Sequence, residues 1–196
     1  MTDVYTVPEE LELVATGKPV HVRVARPASV RMATMADIEP LLHLCRTMHA
    51  ECALHGAFSE TKMRGVLEAL LGKQAGVVGV IDDVAEDGTS YIVAMVALEW
   101  VQPYYTEDWQ WNDRFIYVRE SHRSAQAWAD LSMFARWFVD QVSPPGCEIP
   151  VPLLIGFCQP PAKAKVLTRL FGRQFVQVGA IFAYGNTSRH GRIEAV

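Results

Sequence analysis

Apolar positions recur along this chain with two different periods. In VHVRVA (20–25), Val20, Val22 and Val24 alternate with other residues and share one face of an extended segment. A short strand is expected at SVRMAT (29–34). The period then changes: Ile38, Leu41, Leu42, Cys45, Met48 and Cys52 recur at helical spacing through MADIEPLLHLCRTMHAEC (35–52). Thr34 stands at the N-cap position, and Pro40 is tolerated because it falls in the first turn. A second helix is predicted over 59–72, with Ser59 as its cap and Gly72 as its stop.

Two β-branched, apolar runs follow, GVVGVIDD (76–83) and SYIVAMVALEWV (90–101), and the Asp87-Gly88 pair between them signals an antiparallel hairpin. Past an aromatic connection, VQPYYTEDWQWND (101–113), the run RFIYV (114–118) reads as another strand. Residues 124–142 then form a helix with Trp128, Leu131, Phe134 or Ala135, and Phe138 on one face. SPPGCEIP (143–150) ends it. A buried strand VPLLIGFC (151–158), a helix AKAKVLTRLFG (162–172) and a final strand or strand pair QFVQVGAIFAYG (174–185) complete the pattern. This order predicts an α/β (α+β) fold, a mixed sheet with helices on both faces. Its one clear βαβ unit consists of the strand ending at Val118, the long helix and VPLLIGFC. Residues 1–28 read as an N-terminal extension packed on the domain or on a partner, 29–185 as the domain, and 186–196 as a polar tail.

Composition narrows the function classes. Half of the 196 residues are apolar and a fifth are charged, and the net charge of −4 gives no general pull toward nucleic acid. No apolar run approaches the roughly 18 residues of a membrane helix, and MTDVYTVPEELELV has no secretory-signal pattern, so a soluble, cytoplasmic protein is expected. Cys45, Cys52, Cys147 and Cys158 fall in no paired metal or redox spacing and read as reduced thiols. Cys45, His49 and Cys52 do share a helix face that can present metal ligands. The two cysteines also continue the apolar stripe, which favours core packing, and no metal is expected.

The candidate chemistry lies in FIYVRESHRSAQAW (115–128), a strand, a basic turn and a helix start, an order that often brings an anion to a helix N-terminus. These residues and the order of elements resemble the GCN5-related N-acetyltransferase (GNAT) superfamily. There, a strand ending in hydrophobic-x-Val precedes a loop of the type Arg/Gln-x-x-Gly-x-Gly/Ala that opens a helix. Ile116 and Val118 take the strand positions, Arg123 the first loop position, and Gln126 and Trp128 the two glycine positions. KVLTRLFG resembles the family's Ala-x-x-Leu-Tyr-x-x-x-Gly-Phe motif: Leu167 and Gly172 match, Thr168 replaces the tyrosine and Arg173 the phenylalanine. The glycine-less turn is similar to GNAT-like proteins often encoded in phage genomes.

The resemblance implies a GNAT-like, mostly antiparallel sheet and acetyl transfer from acetyl-CoA to an amine of a small molecule or protein by direct attack. It also implies a cofactor running along Ile116, Tyr117 and Val118, its pyrophosphate held by Arg123, Ser124, Ala125, Gln126, Ala127 and Trp128. Trp128 alternatively points into the core. Thr168 occupies the position of the family's proton donor, with Tyr184 and Tyr117 as substitutes. Glu99, an acid in an otherwise apolar strand, is the candidate base or else an ion-pair partner. Glu107, Asp108 and the aromatics Trp100, Tyr104, Tyr105, Trp109 and Trp111 border the acceptor groove, form a protein interface, or pack in the core. Cys158 is either an acyl-accepting thiol or a buried structural one. Pairing of C-terminal strands in many members implies a homodimer. The alternative is a GNAT-fold binding or structural module without turnover, part of a phage-related assembly.

Overall fold

The computed structural model describes residues 24–52, 56–72, 76–142 and 152–156. Most of the N-terminal extension, Cys147, Cys158, the Leu167 to Arg173 motif with Thr168, Tyr184 and the polar tail lie outside the described residues.

The strands and α-helices of the described chain are β1 (Arg31–Met32), α1 (Ile38–Glu51), α2 (Glu60–Leu71), β2 (Gly76–Val84), β3 (Ser90–Val101), β4 (Gln110–Val118), α3 (Ala125–Gln141) and β5 (Leu153–Leu154), with short 3-10 turns at Met35–Asp37 and Glu120–His122. The strands form one sheet in the order β1-β2-β3-β4-β5, antiparallel except for the parallel pair β4–β5. A mixed sheet with helices on both faces is the architecture that the order of elements predicts, and its mostly antiparallel pairing is what the resemblance implies. The β2–β3 turn falls at Gly88, whose φ of 82° only glycine adopts cheaply.

Entry into α1 is fixed by charge. The Asp37 carboxylate accepts bonds from the Thr34 N–H (2.7 Å) and hydroxyl (3.1 Å) and from both terminal nitrogens of Arg31 (2.9 Å each). Arg31 also reaches Asp82 on β2, so one guanidinium joins β1, β2 and the start of α1. The Arg31 bonds hold the Asp37 carboxyl below the usual carboxylate range.

Each face of the sheet has its own core. Leu41, Leu44, Cys45 and Leu67 of α1 and α2 pack on Val78, Met95, Phe115 and Tyr117. Trp128, Leu131, Phe134 and Phe138 of α3 pack on Val77, Val96, Ile116 and Val118. Gly79 makes the second contact possible, because a Cβ there would meet the Phe134 ring at 2.4–2.9 Å. Cys45 is fully enclosed, and burial pushes its thiol up to about 12. Among the described residues no group of three His, Cys, Asp or Glu side chains is placed to hold a metal, and no helix is long and apolar enough to cross a membrane.

One element departs from the expected boundaries. β4 begins at Gln110, so Trp111, Asn112 and Asp113, read from sequence as connection, are strand residues opposite Trp100, Glu99 and Leu98. The register steps from Ala97↔Phe115 to Leu98↔Asp113, which leaves Arg114 as the extra residue of a β-bulge. Trp111 lies in the α3-side core with Ile116 and Val118, so the inward positions change from odd to even across the bulge. A strict period of two therefore fails over 110–118, which is why only its second half looks like a strand.

Candidate functional site

The site grows from that bulge. Parallel pairing between β4 and β5 covers Trp111↔Leu153 and Asn112↔Leu154. At the next step the Gly156 N–H donates to the Asp113 side chain, Oδ1 at 2.7 Å, in place of a main-chain ladder partner. Among the described residues, the strands part there. Among the described residues no strand pairs with the Phe115 to Val118 half of β4 on its β5 side. The Arg119 N–H donates to the Val93 carbonyl, so ladder bonds to β3 fall on residues 115, 117 and 119, and the main-chain groups of Ile116 and Val118 point toward the parting.

Asp113 occupies the root of this parting. Burial pushes its carboxyl up to about 6. The bond from the Gly156 N–H works against that rise, while the nearby Glu99 charge adds to it. The residue was absent from the sequence-based candidates because WQWND has a turn-like composition. The signal that finds it is strand pairing, visible only with the bulge in place.

Glu99 sits across the ladder from Asn112 and pairs with Arg114, Oε1 to Nη1 at 3.1 Å, the ion-pair alternative raised by the sequence. Its carboxylate and Arg114 close one end of an open cleft of about 500 Å³ between α2 and the ends of β3 and β4, with Lys62 on the helix side and Val66 and Leu70 as the apolar wall. Glu107 and Asp108 are exposed loop residues. Of the aromatics, Trp111 is fully buried, Trp100 and Trp109 pack against the α3-side core, and Tyr104 and Tyr105 stand in solvent.

The turn into α3 is tightly self-bonded. Ser124 is the N-cap: its Oγ accepts the Ala127 N–H at 3.1 Å and its carbonyl accepts the Trp128 N–H at 3.4 Å. Ala125 and Gln126 are exposed and open the helix, whose first-turn N–H groups lack intrahelical acceptors. Trp128 is 6% exposed and lies in the α3-side core, so its ring is turned away from the surface of the turn. The Gln126 amide donates to Asp130 Oδ1 at 2.5 Å, and Ser29 Oγ donates to Asp130 Oδ2 at 2.6 Å.

Arg123 is committed to the fold rather than projecting from the turn. Its Nε donates to the Val118 carbonyl at 3.1 Å, Nη2 pairs with Glu51 at the end of α1, and Nη1 reaches Glu120 at 3.5 Å. The guanidinium also lies 5.9 Å from the Tyr117 ring centre. Tyr117 itself is fully buried on the α1–α2 side, where burial and then the Glu51 carboxylate push its phenol up. Its hydroxyl is therefore on the opposite side of β4 from Ile116 and Val118 and away from the parting.

The two sides of the α3 start differ in charge. A shallow pocket toward β2 is lined by Asp82, Asp83 and Asp130 together with His122, whose Nε2 lies 2.9 Å from Asp83. Three carboxylates there oppose an anion.

The fold has counterparts among solved structures. A "probable acetyltransferase" superposes with a TM-score of 0.57 at 14% identity, the match covering 81% of this chain and 98% of that one. The fold is that of the GNAT acetyltransferases. AAC(6')-Iy, in complex with the bisubstrate analog CoA-S-monomethyl-acetylneamine, aligns at a TM-score of 0.54 and 12% identity over 80% of this chain and 95% of its own. The enzyme meta-AAC0020 from an uncultured soil metagenomic sample, in complex with sisomicin, aligns at 0.51 and 12% over 81% and 94%. No protein-family model matches the GNAT-fold chain, and no curated protein matches its sequence.

Proposed function

We propose that the protein is an acetyl-CoA-dependent N-acetyltransferase that works by direct attack of a bound amine. The observation that carries this reading is the parting of β4 from β5 at Asp113 among the described residues, beside the main-chain groups of Ile116 and the N–H of Val118, whose carbonyl is already bonded by Arg123. An extended, amide-bearing arm can add to such an edge as a strand would. The residues fit acetyl-CoA in two of its parts: Ile116 and Val118 would hold the pantetheine arm, and the exposed first turn of α3 at Ala125 and Gln126 would meet the pyrophosphate. Arg123 and Trp128 would act indirectly, by fixing the turn and the helix. When bound, the cofactor supplies an activated acetyl group: the amide C–N bond forms as the thioester C–S bond breaks, and the thiol leaves with a proton.

Asp113 is the residue to accept the proton lost by the amine. A carboxyl at about 6 is ionised at neutral pH yet more basic than an ordinary carboxylate. Glu99, fixed by Arg114, orients the acceptor in the cleft. Thr168 keeps the role that the resemblance implies, proton donor to the departing thiol.

Calorimetric titration of the full chain with acetyl-CoA tests the reading. Micromolar binding is expected, and Ala125→Glu, which adds a carboxylate where the pyrophosphate would lie, weakens it about tenfold or more without lowering the melting temperature. Absence of binding at millimolar cofactor overturns the enzyme reading and leaves a GNAT-fold binding module.

A further inference from the structure

We propose that the cleft between α2 and the ends of β3 and β4 takes a small acceptor that carries a carboxylate as well as its amine. This rests on the acetyl-transfer reading and assigns the class of acceptor to it. The cleft, about 500 Å³, has the size of a small-molecule site. It touches the bulge directly, since Arg114, the extra residue of β4, lines it and adjoins Asp113 in the chain.

Charge decides the class. Among the described residues two cations, Lys62 and Arg114, line the cleft against one anion, Glu99, so the described lining is net positive although the protein is net negative. A polyamine would bring its charges against both cations. An amino carboxylate satisfies both signs: its ammonium group faces Glu99, whose charge also reaches Asp113, and its carboxylate faces Arg114 and Lys62. Gly65, Val66 and Leu70 supply a smooth, mostly apolar wall along α2. From Lys62 to Ala69 that wall spans about 10 Å of helix, enough for a small molecule and too short for a folded partner.

The test compares each common amino acid with its own carboxamide, and with spermidine as a polyamine, by thiol release from acetyl-CoA with the full chain. A preference of about tenfold or more in kcat/KM for the best carboxylate over its amide is expected, the size of one charge-assisted contact. Arg114→Gln and Lys62→Gln, measured separately, each bring that ratio toward unity through KM while leaving calorimetric affinity for acetyl-CoA unchanged. Equal or better use of amides or spermidine overturns the proposal, as does a ratio that survives both substitutions. Acetyl-CoA binding with no turnover of any carboxylate also overturns it and leaves the cofactor reading standing. Loss of acetyl-CoA binding in the unsubstituted protein removes both.

Discussion

Asp113→Asn separates what the parting of β4 and β5 costs the fold from what it contributes to chemistry. In the native protein burial lifts this carboxyl from an ordinary 3.8 to about 6. The folded state therefore holds its proton more tightly than the unfolded chain, and the unfolded chain ionises first as pH rises. Stability attributable to this group falls between about pH 4 and 6, and the full penalty is present above that window. At about 1.4 kcal/mol per tenfold, the rise corresponds to about 3 kcal/mol. Asparagine never ionises and keeps an oxygen to accept the Gly156 N–H, now 2.7 Å from Oδ1. Urea denaturation followed by circular dichroism should find the variant close to the parent at pH 4 and more stable at pH 8, by up to about 3 kcal/mol, a rise of several degrees in melting temperature for a chain of this size. Acetyl transfer should fall in the same variant, and the rise in kcat/KM that the parent shows near pH 6 should disappear. A variant less stable than the parent by the same margin at both pH values would refute the reasoning, because it would mean that Asp113 carries no ionisation penalty.

Two further substitutions probe the scaffold. Gly79→Ala forces the Phe134 ring to move from contacts of 2.4–2.9 Å and should destabilise the protein by about 1–3 kcal/mol or more in the same denaturation assay, with a loss of near-ultraviolet aromatic signal. Arg123→Met leaves the half-buried Glu51 carboxylate and the Val118 carbonyl without the guanidinium and should cost about 1–3 kcal/mol, while the calorimetric affinity for acetyl-CoA changes less than about threefold. A large loss of affinity with unchanged stability would restore Arg123 to the role of phosphate ligand.

The helices and the β2–β3 hairpin were readable from the chain because their signals are local: a stripe of apolar residues from Ile38 to Met48, a glycine at position 88 and the β-branched, apolar run SYIVAMV. Ser124 was readable as part of the turn for the same reason, although its hydroxyl caps α3. The rest depends on contacts between distant residues. Arg123 meets Glu51 from 72 positions away, and nothing near either residue announces the pair. Asp113 acquires its environment from Gly156, 43 positions on, and from a register that one extra residue has shifted. Trp128, at a position where the resemblance implies glycine, answers to the apolar face of α3 rather than to the motif.

The bulge at Arg114 makes β4 two strands in one as far as substitution is concerned. Arg114 itself lines the end of the cleft, and residues 110–113 before it pair with β5 through Trp111 and Asn112. Beyond it, residues 115–118 have no β5 partner among the described residues, with opposite parity of inward positions. Changes in one half need not be compensated in the other. Acceptor preference can thus drift by exchange of residues around Arg114 while the edge formed by Ile116 and Val118 stays intact. Deleting residue 114 would instead remove the bulge: Asp113 and Phe115 would become consecutive opposite Leu98 and Ala97, each inward residue would keep its face, and the cleft would lose its Arg114 cation.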